Sequence, residues 1–181
     1  MSVTVKGIYA GQRPEDVPAY PLGEVAALLG ISPSTLRTWV RGRSFPTRHG
    51  GVKRSPAIIK LPVSKDLVLS FTNVVEAHVL SGLRKKYELK LDAIRAAVRY
   101  VDQRLGVQHP LAVEQFKTDG VSLFIERFGH IINATKEGQV EMKHLLAAYL
   151  ERIEYDHGKA IRFFPLMRDA APRVVVVDPR S

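Results

Sequence analysis

Residues 20–41 read Tyr20-Pro21-Leu22-Gly23-Glu24-Val25-Ala26-Ala27-Leu28-Leu29-Gly30-Ile31-Ser32-Pro33-Ser34-Thr35-Leu36-Arg37-Thr38-Trp39-Val40-Arg41. Leu22, Val25, Ala26 and Leu29 recur at helical spacing, which puts them on one face of a short helix. Gly30 follows the last of them and tolerates the positive φ that ends a helix. Ile31 is the expected inward residue of the turn. Ser32 is placed to cap a second helix, and Pro33 occupies its first position, where a missing N–H costs nothing. Leu36 and Val40 then face back onto the first helix. Two short helices joined by a tight glycine-containing turn make a helix-turn-helix.

The outward face of the second helix offers Ser34, Thr35, Arg37, Thr38 and Arg41. Arginine forks read guanine or clamp phosphate, and hydroxyls at a helix N-terminus join free backbone N–H groups in binding phosphate. Ser32 and its neighbouring N–H groups suit phosphate better than bases. The surroundings have one sign of charge. No acid occurs between Glu24 and Asp66, while Arg37, Arg41, Arg43, Arg48, Lys53, Arg54, Lys60 and Lys65 all fall in that gap. Residues 1–62 hold nine Lys and Arg against three Asp and Glu, so the basic excess is local. A polyanion-binding footprint is one reading of that tract; a solvated basic face is the other. Trp39 is read as a packing residue before a base-stacking one.

Working outward, residues 1–19 read as an arm, and residues 63–66 as a connection. Val75, Val79, Leu80 and Leu83 predict a helix that Thr72 can cap, ending near Lys85–Tyr87. Leu91, Ile94, Val98, Val101 and Leu105 predict the next, closed by Gly106. Val113, Gln115 and Lys117 alternate with Val121, Leu123 and Ile125 around Asp119-Gly120, which predicts a β-hairpin, with Ile131-Ile132 adding a strand. A third helix is expected over 139–150. Residues 152–155 and 159–164 flank Asp156-His157-Gly158 as a second hairpin, and residues 173–177 as a last short strand. Arg84, Lys85 and Lys86 are expected to sit at a helix C-terminus favoured by the macrodipole; a second anion site is the lesser reading.

Composition bounds the rest. The chain has 181 residues and 45% apolar residues, enough for a packed core. It has no cysteine, which excludes disulfides, thiolate metal sites and a cysteine nucleophile. The start of the sequence has no long apolar segment of the secretory kind, and no apolar run reaches the ~18 residues of a membrane span, so a cytoplasmic location is expected. His49, His78, His109, His130, His144 and His157 are scattered, without a paired-ligand spacing, so no metal and no cofactor are expected. Arg48-His49-Gly50-Gly51 lacks the Lys-Ser/Thr of a P-loop.

The stretch 20–62 resembles the MerR-like winged helix-turn-helix family. The matching elements are the aromatic-Pro-Leu-Gly-Glu-Val-Ala opening, the Gly-Ile-Ser-Pro turn, and Thr35-Leu36-Arg37 followed by the aromatic Trp39. The resemblance implies a short β wing after the second helix, with residues 48–54 as its tip and Ala57-Ile58-Ile59-Lys60 as its return strand. It implies DNA contacts from Ser32, Ser34, Thr35, Arg37, Thr38, Arg41, Arg43, Arg48, Lys53 and Arg54. Residues 63–105 depart from that family, having no long heptad dimerisation helix.

The remainder resembles VapB-type antitoxins, through Leu69-Ser70-Phe71-Thr72-Asn73-Val74-Val75-Glu76-Ala77-His78-Val79-Leu80, residues 84–89 and the closing Val175-Val176-Val177-Asp178-Pro179-Arg180. This implies a type II toxin–antitoxin component that binds double-stranded DNA at its own promoter as a homodimer and partners a PIN-like ribonuclease toxin. In that group Val-Asp-Pro stands close to the start of a C-terminal module, so a chain truncated before that module is expected. The fold expected is α+β: an arm over 1–19, a winged helix-turn-helix over 20–65, and over 66–181 a dimerisation or partner-binding region of helices with a small antiparallel sheet. The alternative is a MerR-like regulator without a toxin, whose α+β half senses a small molecule; Tyr100, Phe116, Phe124, Phe128 and Tyr149 are candidates to line its pocket, though such aromatics are more often core. An enzyme is not expected, since no catalytic pair is identifiable.

Overall fold

The computed structural model describes residues 11–63, 65–84, 90–165 and 177–180. The chain is α+β, with helices carrying most of the core and two-stranded antiparallel sheets at its margins. The first helix, α1, is Leu22–Leu29, and buries Leu22, Val25, Ala26 and Leu29. Gly30 ends it at φ 64 in the left-handed region, and the chain enters α2, Pro33–Arg41, which buries Leu36, Trp39 and Val40. Ahead of α1, strand β1 (Tyr20–Pro21) pairs with β4 (Val68–Leu69), so the module is closed by its own flanks.

Between those flanks lies a hairpin of β2 (Arg43–Pro46) and β3 (Val52–Ser55). Its tip is tied by Thr47, whose N–H donates to the Gly51 carbonyl at 2.7 Å and whose hydroxyl accepts from Gly51 N–H at 3.0 Å. The return strand is therefore 52–55 and not Ala57–Lys60. After Pro56 the chain leaves the ladder: Ile58 and Ile59 donate their N–H groups to the Trp39 carbonyl at 2.8 and 3.0 Å, and Ile59 is buried in the core.

Helix α3, Phe71–Arg84, is buried along nearly all its length, polar Asn73, Glu76, His78 and Ser81 included. Its cap is Ser70, not Thr72. Ser70 N–H donates to the Asn73 side chain, and Asn73 N–H donates back to Ser70 Oγ, both at 3.2 Å, a reciprocal arrangement of the capping-box kind. Thr72 instead donates to the Glu15 carbonyl at 3.1 Å. Helix α4, Leu91–Leu105, closes at Gly106 (φ 64) as its sequence indicates.

Residues 113–125 form no hairpin. Phe116–Gly120 is a single π-helical turn that runs into α5, Val121–Ile131. Val121, Phe124, Ile125 and Phe128 are its buried set, a three-and-four spacing that outweighs the alternation read across Asp119-Gly120. Gly120 has an ordinary helical φ of −69; what it supplies is room, since a Cβ there would lie 2.6 Å from the Phe116 ring. Ile131 ends α5 and Ile132 caps it, so neither joins a strand. Helix α6, Lys136–Leu150, starts earlier than its apolar pattern, because Thr135 caps it through Gly138 N–H at 3.0 Å.

The last hairpin is as read to within a residue at each strand end, with Asp156 in the strand and not in the turn. Strands β5 (Ile153–Asp156) and β6 (Lys159–Phe163) are joined by His157 and Gly158, both at positive φ, the turn that suits the twist of a two-residue hairpin. Val177 pairs with Phe163 through bonds of 3.0 and 2.9 Å. The rest of the 173–177 strand, residues 1–10 of the arm, and Lys85 and Lys86 lie outside the described residues. Among the described residues no helix is long and apolar enough to cross a membrane.

Candidate nucleic-acid interface

The burial of Leu36, Trp39 and Val40 turns the other side of α2 outward, where Ser34, Arg37 and Arg41 are exposed. Trp39 packs and does not stack: it is 1% exposed. Arg37 makes no hydrogen bond or ion pair with any described residue. Arg41 is exposed but donates to the Lys65 carbonyl at 3.1 Å, so its guanidinium is partly held.

The hydroxyls are less open than the sequence suggests. Ser32 Oγ accepts from Thr35 N–H at 3.2 Å and lies 3.0 Å from Ser34 Oγ and 2.8 Å from Thr35 Oγ1. Thr35 also accepts from the Arg84 guanidinium at the end of α3. Thr38 donates to the Ser34 carbonyl at 2.9 Å, a bond back into its own helix. Thr35 and Thr38 are half-buried. They hold α2 in place and leave Ser34 and Arg37 as its most accessible polar groups.

Arg43, Arg48, Lys53 and Arg54 are all exposed on the hairpin. The register separates them. Arg43 opposes Ser55 and Phe45 opposes Lys53, whereas Ser44 opposes Arg54 and Pro46 opposes Val52. Directly opposed residues share a face, so Arg43 and Lys53 lie on one side of the ribbon and Arg54 on the other. Arg48 is at the tip. Among the described residues, no carboxylate comes within ion-pair distance of any of these cations or of Arg37 and Arg41.

The root of the hairpin is braced from α4. Ser55 donates to Asp92 at 3.0 Å, Asp92 takes Arg95 at 2.7 Å, and Arg95 also donates to the Pro56 carbonyl. The Ser55 hydroxyl, and then the charge of Arg95, hold the Asp92 carboxyl below the usual aspartate value. Sequence reading missed this brace and the Arg84–Thr35 bond. Both span tens of residues, and no local pattern signals them.

Elsewhere, four of the five aromatics weighed as a pocket lining are core, and Tyr100 alone of the five borders an open cavity, with Glu126, Arg127 and His130. Phe116, Phe124 and Phe128 are fully buried, with Phe124 and Phe128 stacked at 5.5 Å, and Tyr149 is buried against His78. Tyr100 is separate, with Arg104 over its ring at 5.1 Å. The described residues contain no cluster of His, Asp and Glu able to hold a metal ion.

The chain is similar in fold to the crystal structure of Rv2018 from Mycobacterium tuberculosis, with a TM-score of 0.60 and 23% identity over 91% of this chain and 77% of that one. At that identity the likeness speaks to fold alone. No family model and no curated protein matches the chain.

Proposed function

We propose that this chain is a sequence-specific duplex-DNA-binding protein, an antitoxin that represses its own type II toxin–antitoxin operon and partners a PIN-like ribonuclease toxin. In this reading α1 and α2 are a helix-turn-helix of MerR-like kind and the β2–β3 hairpin is its wing. The observation that carries it is the exposed Arg37, unpaired among the described residues, on a helix whose opposite face is buried, beside a hairpin whose cations meet no acid among those residues. Arg37 and Ser34 enter the major groove, and Arg41, Arg43, Arg48, Lys53 and Arg54 meet phosphates on either side. Ser32, Thr35 and Thr38 set the angle of α2 through the hydrogen bonds that hold its first turns. The toxin partner and the homodimer rest on the VapB-like resemblance of the sequence.

The test is fluorescence anisotropy of the chain on the DNA upstream of its gene and on a scrambled duplex, over a salt series. Preference for the upstream DNA is expected, with log affinity falling against log salt by ~0.9 per phosphate neutralised. Equal affinity for both duplexes would remove sequence specificity, and no binding at low salt would remove the reading altogether. Co-purification with the product of an adjacent small reading frame tests the toxin partner separately.

A further inference from the structure

A cavity of about 390 Å³ opens where residues 56–60, just past the hairpin, face α3 and α4. That is within the usual size of a small-molecule site. Its floor is Glu76, on the centre of α3 and only 3% exposed. Glu76 Oε2 accepts from the Asn73 side chain at 3.1 Å and lies 3.1 Å from His109 Nδ1. Its other oxygen, Oε1, accepts no hydrogen bond from any described residue. On the cavity lining, that oxygen is open to a bound donor.

The opposite wall supplies cations. Arg95 and Arg99 are one turn apart on α4, so they share a face, and both line the cavity with Lys60. Arg95 has Nη1 on Asp92 and Nη2 on the Pro56 carbonyl, but its Nε is buried without a hydrogen-bond partner. Arg99 is exposed and unpaired among the described residues. Asp102 also lines the rim. With Glu76 partnered by His109 and Arg95 by Asp92, the cavity sets the cations Arg99 and Lys60 against the remaining carboxylate of its lining, Asp102. His109 itself stands at φ 53, a left-handed conformation unusual for a residue with a side chain, and such positions gather at binding sites.

We propose that this cavity binds a small organic anion that also carries a hydrogen-bond donor, a hydroxy or amino carboxylate or a hydroxylated phosphate of about amino-acid size. The oxyanion sits between Arg99 and Lys60, and the hydroxyl or ammonium donates to Glu76 Oε1. No residue of the DNA-facing set is used, so the site stands or falls independently of DNA binding.

The experiment is titration calorimetry of the full chain, without DNA, against glycolate, L-serine and glycerol 3-phosphate. Acetate and methyl phosphate serve as anions without a donor, and glycerol as a donor without an anion. At least one donor-bearing anion is expected to bind one per chain and to exceed its donor-less counterpart; which one binds separates carboxylate from phosphate. Arg99→Ala, an exposed change, should weaken that binding about tenfold or more, the usual worth of a charge-assisted hydrogen bond. Glu76→Gln should erase the preference for donor-bearing anions. Arg127→Ala, at a different cavity, should leave binding unchanged. The proposal is overturned if no probe binds, or if Arg99→Ala binds as tightly as the parent; the Arg99 arm decides even if Glu76→Gln does not fold.

Discussion

Ser55 Oγ donates a 3.0 Å hydrogen bond to Asp92 Oδ1, and so fastens the root of the β2–β3 hairpin to the first turn of α4, thirty-seven residues away. Asp92 is the better part of a small brace, since Arg95 both pairs with it and holds the Pro56 carbonyl. The angle at which the hairpin leaves α2 is thereby set by the helical half of the molecule. Asp92→Asn keeps the shape and removes the charge. Because the Asp92 pKa is depressed on folding, its contribution is present above the ordinary value of 3.8 and disappears as pH falls through the lower folded value. Asp92 is largely exposed, so the effect on stability is small. Thermal melts of the parent and Asp92→Asn should differ slightly at neutral pH and converge well below pH 3.8; a gap that widens on acidification would contradict the brace.

Arg37 and Arg48 should behave differently on DNA. Arg37 projects from α2 and Arg48 from the hairpin tip. If Arg37 reads a base, Arg37→Ala costs about 1–3 kcal/mol on the upstream duplex and little on scrambled DNA. Arg48→Ala should weaken both duplexes alike and reduce the salt slope by ~0.9, as expected for one phosphate contact. Both side chains are exposed and neither change should move the melting temperature. Binding curves at several salt concentrations check the pair together, and identical behaviour of the two variants would count against a base-reading role for Arg37.

The two helices around Gly30 were legible because every signal there is local. Gly30, Ser32 and Pro33 act within one turn of themselves, and the structure has each in the conformation its chemistry favours. The turn at His157-Gly158 is legible for the same reason. The stretch around Asp119-Gly120 was not, because Val121, Leu123 and Ile125 also satisfy a period of two. What decides against a hairpin is Phe116, Phe124 and Phe128 packing together in the core, and a core is not visible from a ten-residue window. The candidate site divides in the same way. Exposure of Arg37 follows from the positions of Leu36 and Val40, whereas the capture of Thr35 by Arg84 and of Arg41 by the Lys65 carbonyl depends on how α2 is set against later parts of the chain. The Ala57–Lys60 error is of the second kind, since Ile59 joins the core and not the ladder.

His109 and Glu76 give a pH signature of opposite sign to that of Asp92. The hydrogen bond to Glu76 is the main cause of a raised His109 pKa, with burial opposing it, Asp16 adding to it and Lys60 working against it. A pKa raised on folding contributes stability that is fully present below the unfolded value of 6.5 and lost as pH rises through the folded one. The advantage of the parent over His109→Gln should therefore be greatest in mild acid and shrink in alkali. Proton NMR of the imidazole should place its midpoint above 6.5; a midpoint below it would mean that burial outweighs Glu76.

Gly42 is where the helix-to-hairpin junction is most constrained. Directly after α2 it adopts φ 77 and ψ −169, a region that only glycine occupies readily. Space forbids a side chain as well: a Cβ on Gly42 would run into the Ser55 carbonyl and lie 2.8 Å from the Pro56 carbonyl carbon, both backbone atoms that cannot swing aside. Gly42→Ala therefore has two costs, a strained backbone and a displaced β3. Together they should lower stability by about 3 kcal/mol in urea unfolding. The displacement also pulls on Ser55, and through it on the bond to Asp92, so the hairpin should loosen before the helices do. Hydrogen exchange would register this as faster exchange in 43–55 than in α3. Uniform loss of protection across both would mean instead that the junction and the helical core unfold as one unit.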